Sequence, residues 1–217
     1  MKNRTKLPRS LITTGVLSLA LFATAMPASA VPAPPGGANP TQGRACIAIR
    51  FAGAGGKGHV GWGVELRPGT FMFGAVEGKD GVPVIPERKP NGGWYNYGSW
   101  DDMLNAFRSP MGRPSNPLSA GHIYDAVKCT LVIGTRSSDA EQLGKTMRDR
   151  GYFLARNNCL DVANQVIALF GAKTPHPSLT IYPRIYYSQL VGPAWKEWSL
   201  SPSLGAAPPQ AMVRRRW

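Results

Sequence analysis

His59-Val60-Gly61-Trp62-Gly63-Val64-Glu65-Leu66 alternates with period two, Arg67-Pro68-Gly69 interrupts it, and Thr70-Phe71-Met72-Phe73-Gly74-Ala75-Val76-Glu77 resumes an apolar run. Such alternation marks a half-buried strand, and a short Pro-Gly connection between two strands makes a β-hairpin. The hairpin implies an antiparallel sheet. Successive side chains point to opposite faces, so His59, Gly61, Gly63 and Glu65 share one face. Val60, Trp62, Val64 and Leu66 take the other, which reads as core. The first face sets an imidazole beside two residues without side chains. That pattern predicts an open shelf, since glycine within a strand often marks a close approach by a ligand or another backbone.

Outward from the hairpin, 46–51, 82–85 and 123–133 read as further strands, the second bounded by Pro83 and Pro86. Helices are predicted over 99–107, 138–150, 159–170 and 183–190. Ser138 and Glu141 have capping-box spacing, Gly151 and Gly171 are natural stops, and Pro183 suits a helix start. Strands precede helices, which predicts an α+β fold: an antiparallel sheet with helices packed on one side. The glycine-rich stretch 53–58 lacks the GxxxxGK[ST] spacing and precedes a strand, so it reads as a turn and not a phosphate loop. The aromatic segment 94–100 reads as core packing with some edges near a cleft mouth.

The chain ends have a different character. Lys2, Arg4, Lys6 and Arg9 precede an apolar run from Leu11 to Ala25 and the small-x-small site Ala28-Ser29-Ala30. That is the pattern of a secretory signal over 1–30, so a secreted, extracellular protein is expected, cleaved near Ala30. Residues 31–43 form a Pro/Gly-rich leader, 44–198 the folded domain and 199–217 a flexible basic tail. Beyond the signal, 21 Lys+Arg stand against 12 Asp+Glu, a net charge of +9. The basic residues are scattered, with one tight run at Arg214-Arg215-Arg216. This excludes a dedicated nucleic-acid reader and leaves a weak attraction to anionic wall or membrane surfaces. A monomer is expected.

Three cysteines, Cys46, Cys129 and Cys159, leave an odd thiol in a compartment that permits disulfides. Cys46 and Cys129 lie in strand-like runs that can sit side by side, and Cys159 lies at a helix start. A Cys46–Cys129 bond with Cys159 free is the favoured pairing, and three unpaired buried cysteines is the alternative. Asn158 is a natural N-cap, which puts Cys159 in a first turn where exposed N–H groups and the helix dipole favour a thiolate. His122 shows no obvious partner, and His176 lies between Pro175 and Pro177. His59 on its glycine-flanked strand is the candidate general base for a Cys159 nucleophile. The N–H groups at the helix start, around Asn158, Cys159 and Leu160, are candidate oxyanion donors.

A strand histidine in Gly58-His59-Val60-Gly61-Trp62-Gly63, followed far downstream by Asn158-Cys159 at a helix start, resembles the circularly permuted branch of the NlpC/P60 (papain-like) superfamily. Lecithin retinol acyltransferase-like proteins belong to that branch. The resemblance covers about 46–171. It implies a permuted papain-like fold and thiol-dependent amidase, peptidase or acyl-transfer chemistry without cofactor or metal. It also implies a third polar residue on the strand after the histidine. Glu77 matches that position, with Asn91, Asn96 and Glu65 as weaker substitutes. The expected substrate is a peptide or acyl compound, with cell-wall peptide first. The alternatives are a secreted non-catalytic binding module on the same scaffold and a thiol acyltransferase or esterase acting on lipid. Metal and serine-hydrolase chemistry fit poorly, because CxxC, HxxxH, HExxH and GxSxG spacings are absent.

Overall fold

A computed structural model describes residues 41–77, 84–86, 88–116, 119–153, 158–175 and 182–200. Residues 1–40, over which a signal and most of a leader are expected, the stretch from 201 expected as a tail, and the individual residues Val82, Pro83, Asn157 and His176 lie outside the described residues.

The sheet grows from the hairpin. β2 (His59–Arg67) and β3 (Thr70–Val76) pair antiparallel around Gly69, whose φ of 76° is the left-handed conformation that glycine adopts without penalty. β1 (Gln42–Arg50) pairs with β2 and with β6 (Ala126–Ile133). β5 (Gly93–Gly98) joins β3, and β8 (Lys196–Ser199) joins β6. The order is β5-β3-β2-β1-β6-β8, entirely antiparallel. β4 (Val84–Ile85) and β7 (Tyr152–Phe153) form a separate two-stranded pair. The fold is α+β.

Ala45, Ile47 and Ile49 of β1 and Val60, Trp62, Val64 and Leu66 of β2 face one core. Against it pack α3 (Ser137–Thr146), α4 (Cys159–Phe170) and α5 (Pro183–Gln189). The α4 stripe Leu160, Val162, Ala163, Val166, Ile167 and Phe170 is buried, each large side chain contributing about 1.5–3 kcal/mol. Gly144 lets α3 close on the sheet, because a Cβ there would meet Met72 Cε at 2.7 Å and Trp62 Cη2 at 2.8 Å.

The expectation of helices on one side only is corrected. α2 (Trp100–Arg108) covers the opposite face, burying Met103, Leu104, Ala106 and Phe107 with Cys46, Ala48, Phe71 and Phe73. The open shelf is corrected with it. A Cβ at Gly61 would meet Phe107 Cε1 at 2.7 Å, and one at Gly63 would meet Met103 Sδ at 2.4 Å. These glycines admit helix side chains to the sheet, not a ligand.

The domain limits widen slightly. Gln42 and Gly43 belong to β1, and Leu200 is buried and donates its N–H to Asp125. α2 begins with a capping box between Ser99 and Asp102. The box expected at Ser138 and Glu141 does not form. Arg136 is the N-cap of α3 without a side-chain cap, and Glu141 instead accepts from Tyr97 at 2.8 Å and pairs with Lys145. Residues 53–58 make a single turn, α1 (Gly53–Gly56), with left-handed Ala54 and Gly55. Cys46 and Cys129 face each other in register across β1 and β6 and are bonded, leaving Cys159 as a free, buried thiol.

Candidate active site

Asn158 builds the position of Cys159. Its Oδ1 accepts from Leu160 N at 2.8 Å and Asp161 N at 3.0 Å, while its own N–H donates to Asp161 Oδ2. This capping box fixes Cys159 as the first residue of α4. It also corrects the oxyanion assignment, because the Leu160 N–H is engaged by Asn158. Asn158 is the cap and offers its own N–H to Asp161. The backbone N–H groups of Val60, Leu160 and Cys159 work to lower the thiol's pKa.

Those three N–H groups favour a thiolate, yet the thiol is pushed up to about 11, because burial dominates. Cys159 is only 5% exposed. A helix N-terminus stabilises an anion by about 0.3–1 kcal/mol, rising to about 2 in partly buried sites. Desolvation of a fully buried group shifts a pKa by several units. The expected resting thiolate is therefore corrected to a protonated thiol.

β2 delivers His59. Cys159 and Val60, the residue after His59, lie in one buried cluster, and the Val60 N–H works to lower the thiol's pKa. His59 is buried, and its Nε2 has no hydrogen-bond partner among the described residues, Cys159 Sγ included. Burial drives its pKa down to about 3, assisted by His122, Arg50 and Arg113 and opposed by Glu77. The resting pair is a neutral thiol and a neutral imidazole.

Glu77 follows the last residue of β3. The register Trp62↔Gly74, carried on to the strand end, places it opposite His59. It is fully buried, but its hydrogen bonds go elsewhere. Oε1 accepts from Arg113 Nη1 at 3.0 Å and Tyr124 Oη at 3.1 Å, and Oε2 from Ser119 Oγ at 2.5 Å and His122 N at 3.3 Å. Burial works to raise its pKa, and Arg113 foremost, with His59 and Ser119, holds it below the usual value. Glu77 thus acts on His59 through space and not as a hydrogen-bonding orienter, which corrects the role implied for it.

The substitutes are structural. Glu65 clamps Arg44 and the Gly69 N–H of the hairpin. Asn91 donates to Met147 O and Gly151 O, and Asn96 donates to Gly112 O.

His122 and Tyr124 were missed as site residues. Their rings lie 4.5 Å and 5.8 Å from that of His59. Arg113 was missed too, and it pairs with Glu77 with 3% of its side chain exposed. The only local hint was the spacing His122-x-Tyr124 before a strand, which carries no information about what it faces.

A cleft of about 400 Å³ lined by Met111, Asn116, Arg113 and Ser119 shares its last two residues with the Glu77 network. Trp94, expected near a cleft mouth, is core, with Arg113 over its ring at 4.6 Å. Among the described residues no three His, Cys, Asp or Glu side chains converge as metal ligands, and no helix is long and apolar enough to cross a membrane. Comparison with protein-family models, characterised proteins and solved structures yields no match.

Proposed function

We propose that this chain is a secreted cysteine hydrolase that cleaves an amide bond, with Cys159 as nucleophile and His59 as general base on a permuted papain-like scaffold. One observation carries the reading. A free thiol at a capped helix start packs in the same buried cluster as Val60, and the preceding residue, His59, has a buried Nε2 with no partner among the described residues. An unsatisfied buried nitrogen costs about 1–3 kcal/mol, and such orphans in native structures call for a reason such as catalysis.

In this scheme the Sγ proton passes to His59 Nε2 as sulfur attacks the substrate carbonyl carbon. The carbonyl electron pair moves to oxygen, next to the Cys159 N–H. Collapse breaks the C–N bond, and the amine leaves with the proton from His59. Water, deprotonated by His59, then cleaves the thioester and releases the acid. Glu77 stabilises the transient imidazolium through space. Cell-wall peptide is the first substrate class, supported by the export-type segment 1–30 and the resemblance of 46–171. An acyl electrophile built on such a peptide tests it: Cys159 is labelled selectively, and His59→Ala abolishes the labelling. Equal labelling rates in both proteins would sink the dyad.

The absent Nε2–Sγ bond and the raised thiol favour one second reading, a binding module with an inert thiol. Peptide binding that survives Cys159→Ala, with no turnover by the native protein, would select it.

A further inference from the structure

We propose that His122 is the positioning residue for His59: Arg50, Glu77 and Arg113 fasten His122, and its ring holds the catalytic imidazole in place. The inference rests on the reading of His59 as general base.

His59 Nε2 has no hydrogen-bond partner among the described residues, so ring packing contributes to its orientation. The rings against it are Tyr124 and, closer, His122, whose centroid lies 4.5 Å away at an interplanar angle of 63°. His122 is itself held at three points by charged side chains. Its Nδ1 faces Arg50 Nη1. A guanidinium only donates, so Nδ1 is the acceptor in this contact. The His122 N–H donates to Glu77 Oε2 at 3.3 Å, and its carbonyl accepts from Arg113 Nη2. Glu77 and Arg113 are paired with each other at 3.0 Å, nearly without exposure. Tyr124, two residues on, is tied to the same carboxylate.

Glu77 therefore stands where an orienting carboxylate would stand, with its hydrogen bonds spent on the group beyond. It fastens His122, and His122 fastens His59. The charged and titratable groups facing His59 are Arg50 from β1, Glu77 after β3, Arg113 after the short 3-10 turn Pro110–Gly112, and His122 and Tyr124 before β6.

A double-mutant cycle tests the assignment on the folded, disulfide-intact protein. Arg50→Met removes the donor to His122, Arg50→Lys keeps one, and His122→Phe keeps a ring without an acceptor. Two readouts apply: the pH profile of Cys159 labelling by the peptide electrophile, and the titration of His59 followed by NMR of ring-labelled histidine. Arg50→Met and His122→Phe each lower neutral-pH labelling about tenfold and move the His59 midpoint upward. Arg50→Lys restores most of the loss, and Arg50→Met adds less than about twofold in the His122→Phe background. Independent, multiplying effects would overturn the proposal, as would an unmoved labelling profile and His59 midpoint in His122→Phe. The NMR arm does not depend on catalysis. If labelling proves indifferent to His59→Ala, the hydrolase reading fails, while the coupling of Arg50→Met and His122→Phe in the His59 midpoint still tests the Arg50–His122–His59 contact.

Discussion

Replacing His59 with glutamine should remove most of the protein's loss of stability between pH 8 and pH 5. In the native state burial holds the imidazole pKa at about 3, against an ordinary histidine value of 6.5. Below pH 6.5 the unfolded chain takes up a proton that the folded chain refuses. The stability tied to neutral His59 is thus complete above pH 6.5, falls as pH drops, and is fully lost near pH 3. One pKa unit is worth about 1.36 kcal/mol, so the loss is about 2 kcal/mol at pH 5 and about 5 kcal/mol once pH falls below 3. The buried carboxylates Glu65 and Glu77 have pKa values below 4.5 and contribute little in that upper window. Urea unfolding with the disulfide intact gives the measurement. With a slope of about 2 kcal/mol/M, the wild-type midpoint falls by about 1 M from pH 8 to pH 5. In His59→Gln the shift is much smaller, and His122 and His176 are common to both proteins. Equal shifts would refute the description of His59 as a desolvated, neutral base.

Three further outcomes follow from particular contacts. The alkylation rate of Cys159 by a small neutral reagent should climb with pH towards a midpoint near 11, because the resting thiol is protonated; a plateau from acid to neutral pH would instead show a preformed thiolate–imidazolium pair. Arg113→Met should destabilise by about 3–5 kcal/mol, since it strands the buried Glu77 carboxylate, and Glu77→Gln in that background should recover part of the loss in thermal unfolding. Reducing the Cys46–Cys129 bond, which spans 83 residues, should cost roughly 4.5 kcal/mol in the chain-entropy model, read as a lowered urea midpoint.

Much of the scaffold was legible locally. The His59–Glu77 hairpin, the α4 stripe, the Asn158 cap and the Gly171 stop rest on interactions within a few residues, so periodicity and turn chemistry reveal them. β5 was read as an aromatic connection because its pairing partner, β3, supplies what its own Asn and Gly residues do not. The glycines at 61 and 63 were legible as places of close approach, but not what approaches. Phe107 and Met103 come from a helix some forty residues away.

The antiparallel hairpin, the helix that carries Cys159 and the pattern expected of an exported chain can be read from the residues in order, because they depend on neighbours along the backbone. The electrostatics of the site arise from the folded arrangement. It buried the thiol enough to overcome the helix dipole, and it turned Glu77 away from His59 towards Arg113, Ser119, Tyr124 and the backbone of His122. Desolvation and hydrogen-bond competition depend on every group that reaches the same point in space, and for His59 those groups, Arg50, Glu77, Arg113 and the pair His122 and Tyr124, arrive from four separate stretches of chain.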